Sequence, residues 1–131
     1  MSYDLMVFEP SAAPRARKDF MAWYKQQTQW SEPHGYNDPS VSTAPLREWF
    51  MEMISAFPAM NGPYASDDID DPNVTDYSIG NHVIYAAFAW SRAEPAYQSM
   101  VALAKKHGVG FFDVSASEGA IVFPGDFERI T

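Results

Sequence analysis

Residues 75–90 read Thr-Asp-Tyr-Ser-Ile-Gly-Asn-His-Val-Ile-Tyr-Ala-Ala-Phe-Ala-Trp. Two runs of strand-forming residues flank Gly80-Asn81, and glycine at the first central position of a turn suits a type II′ hairpin. The stretch therefore predicts a β-hairpin with strands over 75–79 and 82–90. Because the second run is apolar at consecutive positions, its strand presents apolar side chains to both faces of its sheet.

Further strands and helices are predicted on both sides of this hairpin. Upstream, residues 3–8 form an apolar run that favours a strand, and downstream 110–114 and 120–123 predict a final pair of strands. Ser91 and Glu94 match a capping box at the start of a helix. Apolar side chains at helical spacing predict three helices, over residues 14–29, 42–57 and 91–107.

The order of these elements is β-α-α-β-β-α-β-β, and the length fits a single domain over residues 1–131. Without the second helix and the last strand, it becomes the β-α-β-β-α-β order of a ferredoxin-like split β-α-β core. We therefore predict an α+β fold with a mostly antiparallel sheet and its helices on one face. The far face is then covered by the second helix or by the long segment 58–76, or it meets another protein.

Composition and charge exclude several classes of function. Lys and Arg number 9 and Asp and Glu number 17, so the net charge is 9 − 17 = −8. Such a chain lacks the basic face that nucleic-acid binding requires. It contains no Cys, which excludes disulfides, thiol nucleophiles and iron–sulfur clusters. Neither an export signal nor a membrane-spanning apolar run is recognisable, so we expect a cytoplasmic protein.

No motif in the sequence names an enzymatic activity. The three histidines, His34, His82 and His107, do not have the spacing of a zinc site. There is no nucleophile elbow, dinucleotide-binding loop or phosphate-binding loop. We therefore assign no catalytic residues, no metal ligands and no cofactor, and we favour a protein that is not an enzyme.

The strongest concentration of charge lies in the segment 64–77, which contains five aspartates. It misses the EF-hand pattern, because Pro72 and Asn73 stand where that loop needs an oxygen ligand and a glycine. Aromatic and aliphatic neighbours would add affinity to a negative field that speeds association with a basic protein. The predicted partner-binding residues are Tyr64, Asp67, Asp68, Ile69, Asp70, Asp71, Asp76 and Tyr77.

Three short segments carry a resemblance to other proteins. Met1-Ser2-Tyr3-Asp4-Leu5, Asp71-Pro72 and Trp90-Ser91-Arg92-Ala93-Glu94 resemble features of a group of small, acidic, uncharacterised bacterial proteins. The resemblance extends from the first strand to the third helix and implies no catalytic residues. In size, charge and class, the chain is also similar to the immunity proteins of bacterial toxin systems.

These observations favour a non-enzymatic binding protein, specifically an immunity-type protein that neutralises a cationic bacterial toxin or effector. One alternative is a small ligand-binding or metal-binding protein, or an enzyme, that uses the segment 64–77. Its polar groups would be Asp67, Asp70 and Asp71, together with His34 or His82. A second alternative is a homodimer of unknown role that forms through the apolar sheet face.

Overall fold

The computed structural model describes residues 2–68, 70–124 and 128–130, and only the backbone at 128–130. None of its helices has the length and apolarity needed to cross a membrane. The helices are α1 (Arg17–Gln27), α2 (Ala44–Met53) and α3 (Ala93–His107), with short 3-10 turns at Pro39–Val41 and Trp90–Arg92. The strands are β1 (Ser2–Phe8), β2 (Asp76–Ile79), β3 (Val83–Ala89), β4 (Gly110–Phe112), β5 (Ile121–Phe123) and β6 (Glu128–Ile130).

β1 lies inside one sheet, between β3 on one side and β4 on the other. The strand order is β2-β3-β1-β4-β5-β6. Each neighbouring pair is antiparallel, and the longest pairing runs from Ser2 opposite Ala89 to Phe8 opposite Val83. The predicted α+β class and the antiparallel sheet are thus confirmed.

Alternate side chains of β1 point to opposite faces of the sheet, and from Leu5 to Phe8 the side chains on both faces are buried. Leu5 and Val7 pack in a core cluster with side chains of α2 and α3. Met6 and Phe8 point the other way and pack in a second cluster with Phe20 of α1. The prediction that the helices lie on one face is therefore wrong, because α1 covers one face while α2 and α3 cover the other.

α1 covers its face of the sheet with aromatic side chains at helical spacing. Phe20 packs edge-on against Phe8 and Phe112, at centroid distances of 5.0 and 5.3 Å. Tyr24, one turn later, packs edge-on against Phe112 at 5.1 Å. The far face is thus covered by the first helix, and neither the second helix nor the long segment is needed there. This removes the open apolar face from which the homodimer alternative was inferred.

The hairpin between β2 and β3 turns one residue later than predicted. The Gly80 N–H donates to the Val83 carbonyl at 2.8 Å, so Asn81 is the first central residue. Neither Gly80 nor Asn81 has a positive φ, so the type II′ prediction is wrong. Contacts from the preceding loop hold the turn instead. The Asn81 side chain donates to the Val41 carbonyl at 2.8 Å. The backbone N–H of Asn81 donates to Glu32 Oε1 at 3.1 Å.

Two further differences concern the chain after β3. α3 begins directly after the Trp90–Arg92 turn, and no side chain caps its first turn, so the predicted capping box is absent. Gly108 ends α3 in the left-handed region, with φ 68°, as its position after the last basic residues predicts. β6 pairs with β5 in the tail that sequence patterns left unassigned.

An ion-pair cluster joins the ends of α2 and α3. The Glu52 carboxylate accepts from Lys106 Nζ at 2.7 Å and from His107 Nε2 at 2.9 Å. The hydrogen bond from Lys106, followed by that from His107, lowers the pKa of Glu52 below its ordinary value of 4.5. A carboxyl group with a lowered folded pKa stabilises the fold above its unfolded pKa. This contribution is lost as the pH falls through the folded pKa.

Glu52→Gln should therefore lower the free energy of unfolding at neutral pH, because it removes the ionised acceptor. The difference from the parent protein should shrink as the pH falls below 4.5. Urea unfolding at neutral pH and at several acidic pH values measures this. Glu118→Gln, which removes an exposed carboxylate outside the cluster, is the control. A Glu52→Gln effect that stays constant into acid would contradict the role of the ionised carboxylate.

Candidate functional site

The acidic loop, which we define as residues 58–75, connects α2 to β2 and is closed at its base by hydrogen bonds. The Met60 N–H donates to the Thr75 carbonyl at 2.9 Å, and the Thr75 N–H donates to the Pro58 carbonyl at 2.8 Å. Asn73 Nδ2 donates to a carbonyl just after α2 at 3.1 Å. The first two bonds join the two ends of the loop to each other, and the third attaches the loop to the chain that leaves α2.

The aspartates of the acidic loop order its backbone and carry its surface charge. Asp68 Oδ1 accepts from the Asp70 N–H at 3.1 Å, and Asp71 Oδ1 accepts from the Asn73 N–H at 2.9 Å. In both Asx turns a side chain accepts the N–H two residues further on. Asp67, Asp68 and Asp70 are exposed, and Asp71 is half-buried. The loop therefore presents negative charge on a backbone that those same carboxylates help to fix.

The structure separates the other predicted partner-binding residues. Tyr64 is 45% exposed, and Asp76 is exposed at the start of β2. Tyr77 is only 3% exposed, and its hydroxyl donates to the Phe57 carbonyl at 2.7 Å. Tyr77 is therefore a core residue, because β2 turns its ring away from the surface, and it is not part of a partner-binding surface. Ile69 lies outside the described residues.

Two exposed apolar side chains near the acidic loop escape prediction from the sequence. Met60 is 54% exposed and Trp90 is 56% exposed. Met60 lines a shallow groove of about 450 Å³, together with Ser2, Asp76 and residues 87–89 of β3. Trp90 is the last residue of the run 82–90 that is predicted to form one strand, but β3 ends at Ala89 and a 3-10 turn begins at Trp90. Apolar and acidic side chains therefore adjoin at this end of the sheet.

The charge of the chain is unevenly distributed. Between Arg47 and Arg92, the sequence has seven Asp or Glu residues and no Lys or Arg. The basic residues Arg15, Arg17, Lys18 and Lys25 instead lie in or just before α1, which packs on the opposite face of the sheet from α2. Between Arg47 and Arg92, no Lys or Arg therefore offsets the negative field of the acidic loop.

The polar groups of the ligand-binding alternative do not converge. His34 Nε2 lies 2.5 Å from Glu32 Oε1, whose carboxylate binds the Asn81 turn at the far end of β2 from Asp71. The Gly35 carbonyl and then Glu32 raise the pKa of His34 above 6.5, as in an ordinary surface ion pair. Among the residues that the structure describes, no group of three or more His, Asp or Glu is placed to hold a metal ion.

Tyr77→Phe tests the assignment of this residue to the core. The substitution leaves the buried Phe57 carbonyl without its donor and should lower the free energy of unfolding by about 1–3 kcal/mol. Tyr64→Phe removes the same atom from an exposed ring and should change stability by less than about 0.5 kcal/mol. Urea unfolding of both variants gives the comparison. Equal, small effects would contradict the burial of Tyr77.

No protein-family model matches the chain, and no curated protein or solved structure is significantly similar to it. The resemblance to small, acidic bacterial proteins therefore stays a prediction.

Proposed function

We propose that this chain is a non-enzymatic protein-binding domain that binds a basic protein through the acidic loop. In its most specific form, the proposal is an immunity-type protein that neutralises a cationic bacterial toxin or effector in the cytoplasm. The observation that carries it is the array of exposed carboxylates of Asp67, Asp68 and Asp70 beside the exposed side chains of Met60 and Tyr64.

Long-range attraction is the first contribution to such binding. Charges of one sign on one surface accelerate association with an oppositely charged protein, most strongly at low salt. The five aspartates between Arg47 and Arg92 supply this charge, and that stretch of sequence contains no Lys or Arg. A basic partner is therefore the class of protein that this surface favours.

Short-range contacts are the second contribution. Buried aromatic and methionine side chains supply much of the affinity of protein interfaces, and charged rims contribute less. Tyr64 and Met60 are exposed within the acidic loop, and Trp90 is exposed at the adjoining end of β3. These side chains give a bound partner an apolar area to cover.

The order of the acidic loop is the third contribution. Binding costs less free energy when the contact surface is already fixed in the free protein. The Asx turns at Asp68 and Asp71 and the hydrogen bonds between Met60, Thr75 and Pro58 fix this loop without a partner. This supports a preformed binding surface.

We also propose that β1, α2, β2, β3, α3 and β4 form a ferredoxin-like split β-α-β core. In its support, these strands lie in the order β2-β3-β1-β4, and α2 and α3 pack in one cluster on one face. In this proposal the additional helix is α1, in place of the second helix expected from the sequence. β5 and β6 extend the sheet beyond the core.

Association rates with basic proteins test the proposed function. The probes are inactivated cationic nuclease domains of bacterial toxins, with polylysine as a non-specific control. Asp67→Asn/Asp68→Asn/Asp70→Asn should reduce the association rate constant by about tenfold or more at low salt. Asparagine keeps the oxygen that accepts the Asp70 N–H, so the loop should stay folded. The matched control removes three charges outside the stretch between Arg47 and Arg92: Glu9→Gln, Asp19→Asn and Glu118→Gln.

We expect the control variant to keep most of the parent rate and the difference between the variants to disappear at high salt. Equal losses in the two variants would contradict the assignment of binding to the acidic loop, because net charge alone would then explain them. Failure of every nuclease domain to bind more tightly than polylysine would contradict a specific basic partner.

A further inference from the structure

A second concave site lies between the start of β1 and the first turns of α3. This pocket has a volume of about 360 Å³. It is lined by Tyr3, Ala93, Glu94, Tyr97 and Gln98. None of these residues belongs to the acidic loop. Two tyrosines and a glutamate therefore lie together in one small pocket.

Tyr3 is backed by a buried carboxylate. Its hydroxyl donates to both carboxylate oxygens of Asp113, at 3.0 and 3.1 Å, and Asp113 is only 7% exposed. Burial and then this hydrogen bond raise the pKa of Tyr3 above 10, so the side chain is a neutral phenol that donates. A phenol that donates to a carboxylate has a more electron-rich ring, and the carboxylate adds its own negative potential.

The two rings are held in place by other aromatic side chains. The Trp90 ring packs against Tyr3 with centroids 5.2 Å apart. Tyr97 packs edge-on against buried Phe111 at 5.0 Å. Both tyrosine rings pack against other aromatic side chains in the free protein, so the pocket is already formed before a ligand binds.

We propose that this pocket binds an organic cation, namely an alkylammonium or guanidinium head group. The faces of aromatic rings attract cations, and the attraction grows as the site is shielded from water. Glu94 in the lining and Asp113, which accepts from Tyr3, add negative charge, and none of the described residues that line the pocket is Lys or Arg. An anion would meet two carboxylates here, and a hard metal ion would meet ring faces where it needs oxygen ligands.

This inference goes beyond the proposed function, because it does not need the acidic loop. The cation has two sources: a free small molecule, or a lysine or arginine side chain of a bound basic protein. Both sources present a cationic head group. They are distinguished by whether choline competes with a bound basic protein.

Titration with choline tests the pocket directly. 3,3-Dimethylbutan-1-ol is the control ligand, since it has the shape of choline without the charge. Two-dimensional amide NMR of the full chain should show saturable shifts near Tyr3 and residues 93–98 with choline and no such shifts with the alcohol. Tyr97→Leu and Glu94→Gln should each weaken choline binding by about threefold or more.

Control variants keep this test separate from effects on folding. Tyr97→Phe retains the ring face and should retain choline binding. Glu118→Gln removes a carboxylate that does not line the pocket and should also leave binding unchanged. Equal binding of choline and the alcohol, or no saturable shift with choline, would overturn the inference. So would choline binding that Tyr97→Leu and Glu94→Gln leave unchanged.

A competition experiment then identifies the source of the cation. If a partner's side chain enters the pocket, saturating choline should slow binding of the nuclease domain, and N-acetyl-arginine amide should shift the same amides. If the natural ligand is a free cation, choline should bind without affecting the nuclease domain. Both results support the pocket. Failure of choline to bind would not contradict the proposed function of the acidic loop, because the aspartate variants test that surface separately.

Discussion

Burial of β1 on both faces is the constraint on which the rest of the structure depends. Leu5 and Val7 on one face and Met6 and Phe8 on the other are all removed from water. Burying one large apolar side chain stabilises a fold by about 1.5–3 kcal/mol, so neither face can remain open without a large loss. The chain therefore needs a cover on each side, and α1 on one face with α2 and α3 on the other supply it.

This constraint also restricts where the proposed basic partner would bind. The chain's own helices cover both apolar faces. Of the four large apolar side chains that are exposed among the described residues, Met51 lies on α2, and the other three lie at one end of the sheet or in the acidic loop. Met60, Tyr64 and Trp90 are exposed there, close to carboxylates that no nearby basic residue of the same stretch offsets. The fold and the proposed function are thus linked. Because helices of the same chain cover both faces of the sheet, the loops and the sheet edges are the surfaces that remain for binding a partner.

Local features were predictable from the sequence, and long-range ones were not. Runs of strand-forming and helix-forming residues indicated the main strands and all three helices, and the loop aspartates indicated a charged surface. Periodicity does not say which sheet face a helix covers, so α1 was misplaced. Tyr77 was expected at the partner-binding surface, but β2 buries its ring in the core. Trp90 is exposed because β3 ends before it and a 3-10 turn begins there. The Tyr3–Tyr97 pocket depends on the juxtaposition of β1 and α3, which no local pattern reveals.

Amide hydrogen exchange of the free protein tests the central claim most directly. Exchange rates report how often each amide is exposed by local or global opening. If α1 seals one face of β1, the α1 amides around Phe20 should exchange about as slowly as those of α3 around Met100. The amides of β1 and β3 should be among the slowest of the described residues. Exchange of α1 at the rate of an exposed loop, while α2 and α3 stay protected, would contradict the account.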